Sequence, residues 1–104
     1  MNKEELAIAK RIAKIEGIEP WWDNSDGDTK HYITDSAGGV GIYNPFGWPV
    51  LGPLMVKHEV SPSYANGVYL CEMWTGGVRY ATSCLGKQEI PRAILECIIK
   101  SQEA

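Results

Sequence analysis

The chain has 104 residues, with 10 Lys and Arg against 13 Asp and Glu, giving a formal net charge of −3 and a pI near 5.3. A hydrophobic share of 44% and a charged share of 22% are ordinary globular values, so one folded domain spanning 1–104 is expected rather than a disordered or fibrous chain. The acidic balance has the wrong sign for gripping a phosphate backbone, and no apolar run approaches the roughly 20 residues that span a bilayer, so neither a nucleic-acid nor a membrane partner is expected.

The opening residues Met1-Asn2-Lys3-Glu4-Glu5 lack the basic-then-apolar layout of an export signal, which points to the cytoplasm. Asn2 as N-cap with Glu5 closing a capping box, and Gly17 as a left-handed stop, predict a helix over about 3–16. Ile8, Ile12 and Ile15 recur at helical spacing, and Leu6, Ala9 and Ala13 widen their stripe. Lys3, Lys10, Arg11 and Lys14 take the other side as a solvated face.

A short strand over Ile18–Trp22, an Asx-rich turn over Asp23–Gly27 and a second strand over Asp28–Thr34 follow. After Ser36-Ala37-Gly38-Gly39 the run Val40–Tyr43 reads as another strand. The stretch Asn44–Pro53 holds three prolines and two glycines and reads as loop, so the next helix is expected to begin at Pro53 and cover Leu54–Glu59. An earlier start at Pro49 would set Pro53 against a carbonyl four residues back. Val60–Gly67 reads as loop.

Val68–Trp74 and Val78–Ser83, flanking Thr75-Gly76-Gly77, form the clearest hairpin. Tyr69, Cys71 and Met73 make one apolar face, while Val68, Leu70, Glu72 and Trp74 make a mixed one, so one face of an antiparallel sheet should be covered by helices. Ile90, Ala93, Ile94, Cys97 and Ile98 then fall at helical spacing, with Pro91 tolerable in the first turn. The order helix, short strands, short helix, hairpin, helix predicts an α+β domain: an antiparallel sheet of short strands packed with helices, sandwich-like.

Tests for chemistry mostly fail. Cys71, Cys84 and Cys97 are odd in number and widely spaced, so reduced thiols are expected. With His31 and His58 they make no short-spaced zinc pair. Setting Gly27 at position six of a calcium loop puts Trp22 at position one and Ile33 at position twelve, so the first carboxylate and the bidentate Glu are missing. Cys84, beside Gly86 at a strand exit, is the most exposed thiol expected, and Glu72 with an acid from the 19–28 stretch is an acid/base pair to test. Gly38-Gly39-Val40-Gly41 lacks the lysine of a phosphate loop. No cofactor and no metal are expected, and an enzyme is the least favoured reading.

The aromatic residues are more informative, because four Trp and five Tyr stand against one Phe. Nine of the ten rings therefore carry a polar handle suited to interfaces. Trp21 and Trp22 are adjacent, so on an extended strand one points in and one out. Trp48 is expected to plug its loop and Tyr69 to lie in the core. The candidate binding surface comprises Trp21, Trp22, Asp23, Asp26, Asp28, Tyr64 and Trp74. Tyr43 and Trp48, with the glycine turn, form a candidate pocket for a small ligand or nucleotide.

From Tyr43-Asn44-Pro45-Phe46-Gly47-Trp48 onward, the Asn-Pro, the Trp, a short helix, a Trp-ending hairpin and Ile90-Pro91-Arg92-Ala93-Ile94 resemble the phage ABA-sandwich domain family of small phage and prophage proteins. The resemblance extends over nearly the whole chain, departing at Gly47, where an acidic residue often stands, and at Gly52 and Pro53, which should shorten the middle helix. It implies an α/β/α sandwich encoded by a phage or prophage. The function expected is a non-enzymatic accessory protein in a bacterial cytoplasm that binds a host or phage protein, with a homodimer as a further expectation. The alternative is a small-ligand or nucleotide-sequestering protein.

Overall fold

A computed structural model describes residues 3–18, 21–23, 30–34 and 40–103. For the strands within 21–42 only the backbone is described. The elements run α1 (Lys3–Ile15), β1 (Trp21–Asp23), β2 (Lys30–Thr34), β3 (Val40–Ile42), α2 (Trp48–His58), β4 (Ser61–Ala65), β5 (Val68–Thr75), β6 (Val78–Cys84), a 3-10 turn (Lys87–Glu89) and α3 (Ile90–Gln102). This is an α+β fold, and its order of helices and strands is the one the periodicities predict, with one strand, β4, added before the hairpin. The described residues divide into two compact units, 1–44 and 45–104.

In the first unit, α1 buries Ile8, Ala9, Ile12 and Ala13, the stripe expected from their spacing. Gly17 ends it with φ +70°. Its N–H donates to the Lys14 carbonyl at 3.3 Å, and the Ile18 N–H donates to the Ala13 carbonyl at 2.8 Å, the two bonds of a Schellman motif. The strands form an antiparallel sheet in the order β1-β2-β3, with Trp22 opposite His31 and Ile33 opposite Gly41. The capping residue Asn2 and the acidic turn with Asp26 and Asp28 lie outside the described residues.

In the second unit, β4, β5 and β6 form an antiparallel sheet with β5 central. Two-residue turns join them, Asn66-Gly67 (φ 52° and 79°) and Gly76-Gly77 (φ 59° and 81°). Positive φ at both central residues is the type I′ geometry, whose twist matches that of the flanking strands. Alternation places Cys71 and Met73 on the face that α3 covers, 0% and 2% exposed. Ala93, Ile94, Leu95, Cys97, Ile98 and Ile99 of α3 are buried, and α2 packs against α3. At roughly 1.5–3 kcal/mol for each fully buried large aliphatic side chain, Ile94, Leu95 and Ile98 are principal contributors to this unit's stability.

In the second unit, two elements depart from the sequence expectation by more than one residue. Helix α2 begins at Trp48 and carries Pro53 in its interior, with Pro49 in its first turn. Pro53 cannot donate to the Pro49 carbonyl, but the residue before it is Gly52, whose missing Cβ removes much of the clash that keeps pre-proline residues out of the helical region. The segment 61–65, read as loop, is strand β4. It is exposed along its whole length, so no burial pattern marks it in the sequence. Among the described residues, no helix is long and apolar enough to cross a membrane.

Candidate functional site

The β4–β5–β6 sheet has one covered face and one open face. Register puts Leu70, Glu72 and Trp74 of β5 beside Ser83, Ala81 and Arg79 of β6 on the open side. Trp74 is 63% exposed there, and one strand over, the Arg79 guanidinium donates to the Glu72 carboxylate at 2.5 Å. Leu70 and Ala81 are half-buried, so the surface is a shallow apolar strip with an indole at its end and an ion pair beside it.

Tyr64 is equally exposed, but it shares the α3 side with Tyr69, against whose ring it packs at a tilt of 42° with 4.7 Å between centroids. The structure thus confirms exposure for both Tyr64 and Trp74 while placing them on opposite faces of one sheet. Trp21, Trp22 and Asp23 occupy register positions opposite Tyr32, His31 and Lys30, and their side chains lie outside the described set.

The two pocket candidates belong to different units and differ in burial. Tyr43 is buried, and its hydroxyl has no hydrogen-bond partner among the described residues; burial, with Glu16 adding, pushes it up to about 12. Trp48 stands at the start of α2 and is 59% exposed, so it does not plug a loop as its Pro/Gly surroundings suggested.

All three cysteines are free thiols. Burial pushes Cys71 up to about 11, with Cys84 and Cys97 adding, and burial also raises Cys97. Cys84 is only partly exposed; its thiol donates to the Gly86 carbonyl at 3.5 Å, and burial together with Glu89 raises it too. A nucleophilic cysteine needs the opposite shift, toward thiolate. Glu72, the acid/base candidate, is engaged by Arg79, and the acids proposed to join it fall outside the described side chains. Among the described residues, no three His, Cys, Asp or Glu side chains gather into a metal-binding group.

Sequence reading missed a second surface, a groove between α3 and the outer edge of β6. Two adjoining open cavities run along it, of about 350 Å³ beside Cys84, Leu85, Glu89 and Arg92, and about 410 Å³ beside Arg79, Ala81 and Lys100. Ser83 and Glu96 line both. Across it, the Thr82 hydroxyl donates to the Ala93 carbonyl and Lys100 Nζ donates to the Ala81 carbonyl at 3.3 Å. The signal available was the helical wheel, since Glu89, Arg92, Glu96 and Lys100 form a single stripe of alternating sign. No family model, no curated protein and no solved structure matches this chain.

Proposed function

We propose that this chain is a small non-enzymatic accessory protein, encoded by a phage or prophage, that acts by binding a host or phage protein. The observation that carries the reading is Trp74, an indole 63% exposed at the end of an uncovered sheet face, with the Glu72–Arg79 pair beside it. Trp and Arg are the residues on which binding energy concentrates in protein interfaces, and an apolar strip with a polar margin has the layout of such a patch. The raised thiols fit this reading, because a cysteine nucleophile needs the opposite shift. The phage assignment is supported by the resemblance around Tyr43–Trp48 and Ile90–Ile94, and by an order of elements that agrees with it.

Affinity capture from bacterial lysate tests the reading, with the intact chain, Trp74→Ala and Trp22→Ala run in parallel. A host or phage protein retained by the intact chain and lost with Trp74→Ala, at unchanged thermal stability, is the expected result. Equal recovery by the intact chain and both variants overturns the assignment of these rings.

A further inference from the structure

The two edges of the β4–β5–β6 sheet are not equivalent. A two-residue hairpin closes on a hydrogen-bonded pair, and the pairing then alternates along the strands. Counting from Ala65↔Val68, the residues of β4 that turn their main-chain groups outward are Pro62 and Tyr64. Pro62 has no N–H, which blunts that edge. Counting from Thr75↔Val78, the outward residues of β6 are Arg79, Ala81 and Ser83, each with a full donor and acceptor. The Lys100 ammonium on the Ala81 carbonyl agrees with this count, and a carbonyl oxygen has a second lone pair to offer.

The helix beside that edge carries matching information. Helix α3 sits over the line between β5 and β6, because the Cys97 thiol reaches both the Cys71 carbonyl at 3.6 Å and the Tyr80 carbonyl at 3.5 Å. It runs antiparallel to β6: Ala93 lies across from Thr82 and Cys97 across from Tyr80, which sets the helix position near 95 opposite Ala81. The stripe toward the groove reads Glu89, Arg92, Glu96, Lys100, or minus, plus, minus, plus, and its midpoint also falls between 94 and 95. Laid antiparallel against itself about that point, every charge meets its opposite.

We propose that a second copy of this chain docks along β6 about a two-fold axis at Ala81, continuing the sheet from one subunit into the other. Ala81 pairs with Ala81 of the second copy and Arg79 with Ser83, so the three outward residues exchange their main-chain hydrogen bonds. With each α3 over its own β5–β6 line, the two helices lie two strand spacings apart, about 10 Å, the separation at which helices pack side by side. Each helix then occupies the groove of the other, Glu89 meeting Lys100 of the second copy and Arg92 meeting Glu96. The same patch serves both subunits, as a two-fold interface requires. This surface shares Arg79, Ala81 and Ser83 with the Trp74 patch but uses their main chain at the sheet edge and leaves out Trp74, so Trp74→Ala and the α3 charge variants test the two readings separately.

Sedimentation and light scattering of the full chain test the proposal. The intact protein should have twice the mass of the 11.5 kDa chain. Ala81→Pro removes an outward N–H without touching the β5 ladder, and should weaken self-association at least about tenfold while circular dichroism stays native. Glu96→Arg and Arg92→Glu each set like charges across the axis and should each give monomers. Mixed together they should form a heterodimer, because opposite charges then face across the interface while the pair within each helix stays broken. A monomeric intact protein, a single charge variant that still dimerises, or two variants that do not combine on mixing overturns the proposal.

Discussion

The thiol of Cys97 donates to the main-chain carbonyl of Cys71, 26 residues away, and in the same position to that of Tyr80, so one side chain of α3 ties the helix to two neighbouring strands. Both sulfurs are fully buried and neither is bonded to the other. With Cys71 pushed up to about 11, its thiolate fraction at pH 8 is roughly one part in a thousand even before access is considered. The native protein should therefore release the chromophore of a disulfide reagent from Cys84 alone, slowly, and from Cys71 and Cys97 only on unfolding. Rapid modification of more than one thiol in the native state would contradict the burial of this joint.

Tyr43 presents the reverse situation, a buried polar atom that meets no partner among the described residues. Leaving a hydroxyl desolvated and unpaired costs about 1–3 kcal/mol, whereas its ring occupies its site as an ordinary hydrophobe. Tyr43→Phe keeps the ring and deletes the orphan, so the unfolding midpoint in urea should rise by the equivalent of about 1 kcal/mol. A fall of similar size would mean that the hydroxyl is satisfied.

The alkaline limb of stability follows from the same two groups. Cys71 moves from 9.0 to about 11 and Tyr43 from 10.0 to about 12, both mainly through burial. Each is raised in the folded state, so its contribution is complete below the unfolded value and is lost as pH climbs toward the folded one. Stability should fall between about pH 9 and pH 12, by about 1.4 kcal/mol per pH unit for each group while its unfolded form is ionised and its folded form is not. Cys71→Ala should flatten the portion between 9 and 11, as read from urea melts across that range.

What the sequence conveyed depended on whether burial wrote a pattern into it. The β5–β6 hairpin was legible because Cys71 and Met73 alternate with Glu72 and Trp74 around Gly76-Gly77, and α1 was legible from its isoleucines and Gly17. Strand β4 was hidden because Ser61 and Ser63 are polar, Pro62 is a poor strand former and all three are exposed, although Asn66-Gly67 is a strong hairpin signal. In the site, Trp74 was legible from its place on the mixed face of its strand and Tyr64 from a segment read as loop, while their opposite faces followed only from strand pairing. The charge stripe of α3 was legible on the helical wheel, but the groove it lines was not, because β6 and α3 meet only through the fold, with Ala81 and Lys100 separated by 19 residues.

Helix α2 was misplaced for a reason that yields its own test. Pro53 sits inside the helix and is exposed, so its ring contributes little burial while denying the Pro49 carbonyl a donor. An interior proline costs about 3 kcal/mol, against which the stiffening of the unfolded chain returns about 0.4–1 kcal/mol. Pro53→Ala should therefore stabilise by about 2 kcal/mol, visible as a higher Tm. Gly52 supplies the control, since beyond its chain neighbours and the adjoining backbone of its own helix nothing lies within 4 Å of where its Cβ would stand. With Pro53 in place, Gly52→Ala should destabilise, because the new Cβ meets the proline ring. In the Pro53→Ala background the same change should stabilise by up to about 1 kcal/mol, the ordinary preference of a helix for alanine over glycine. The reversal of sign between the two backgrounds separates a pre-proline clash from any general effect of glycine in α2.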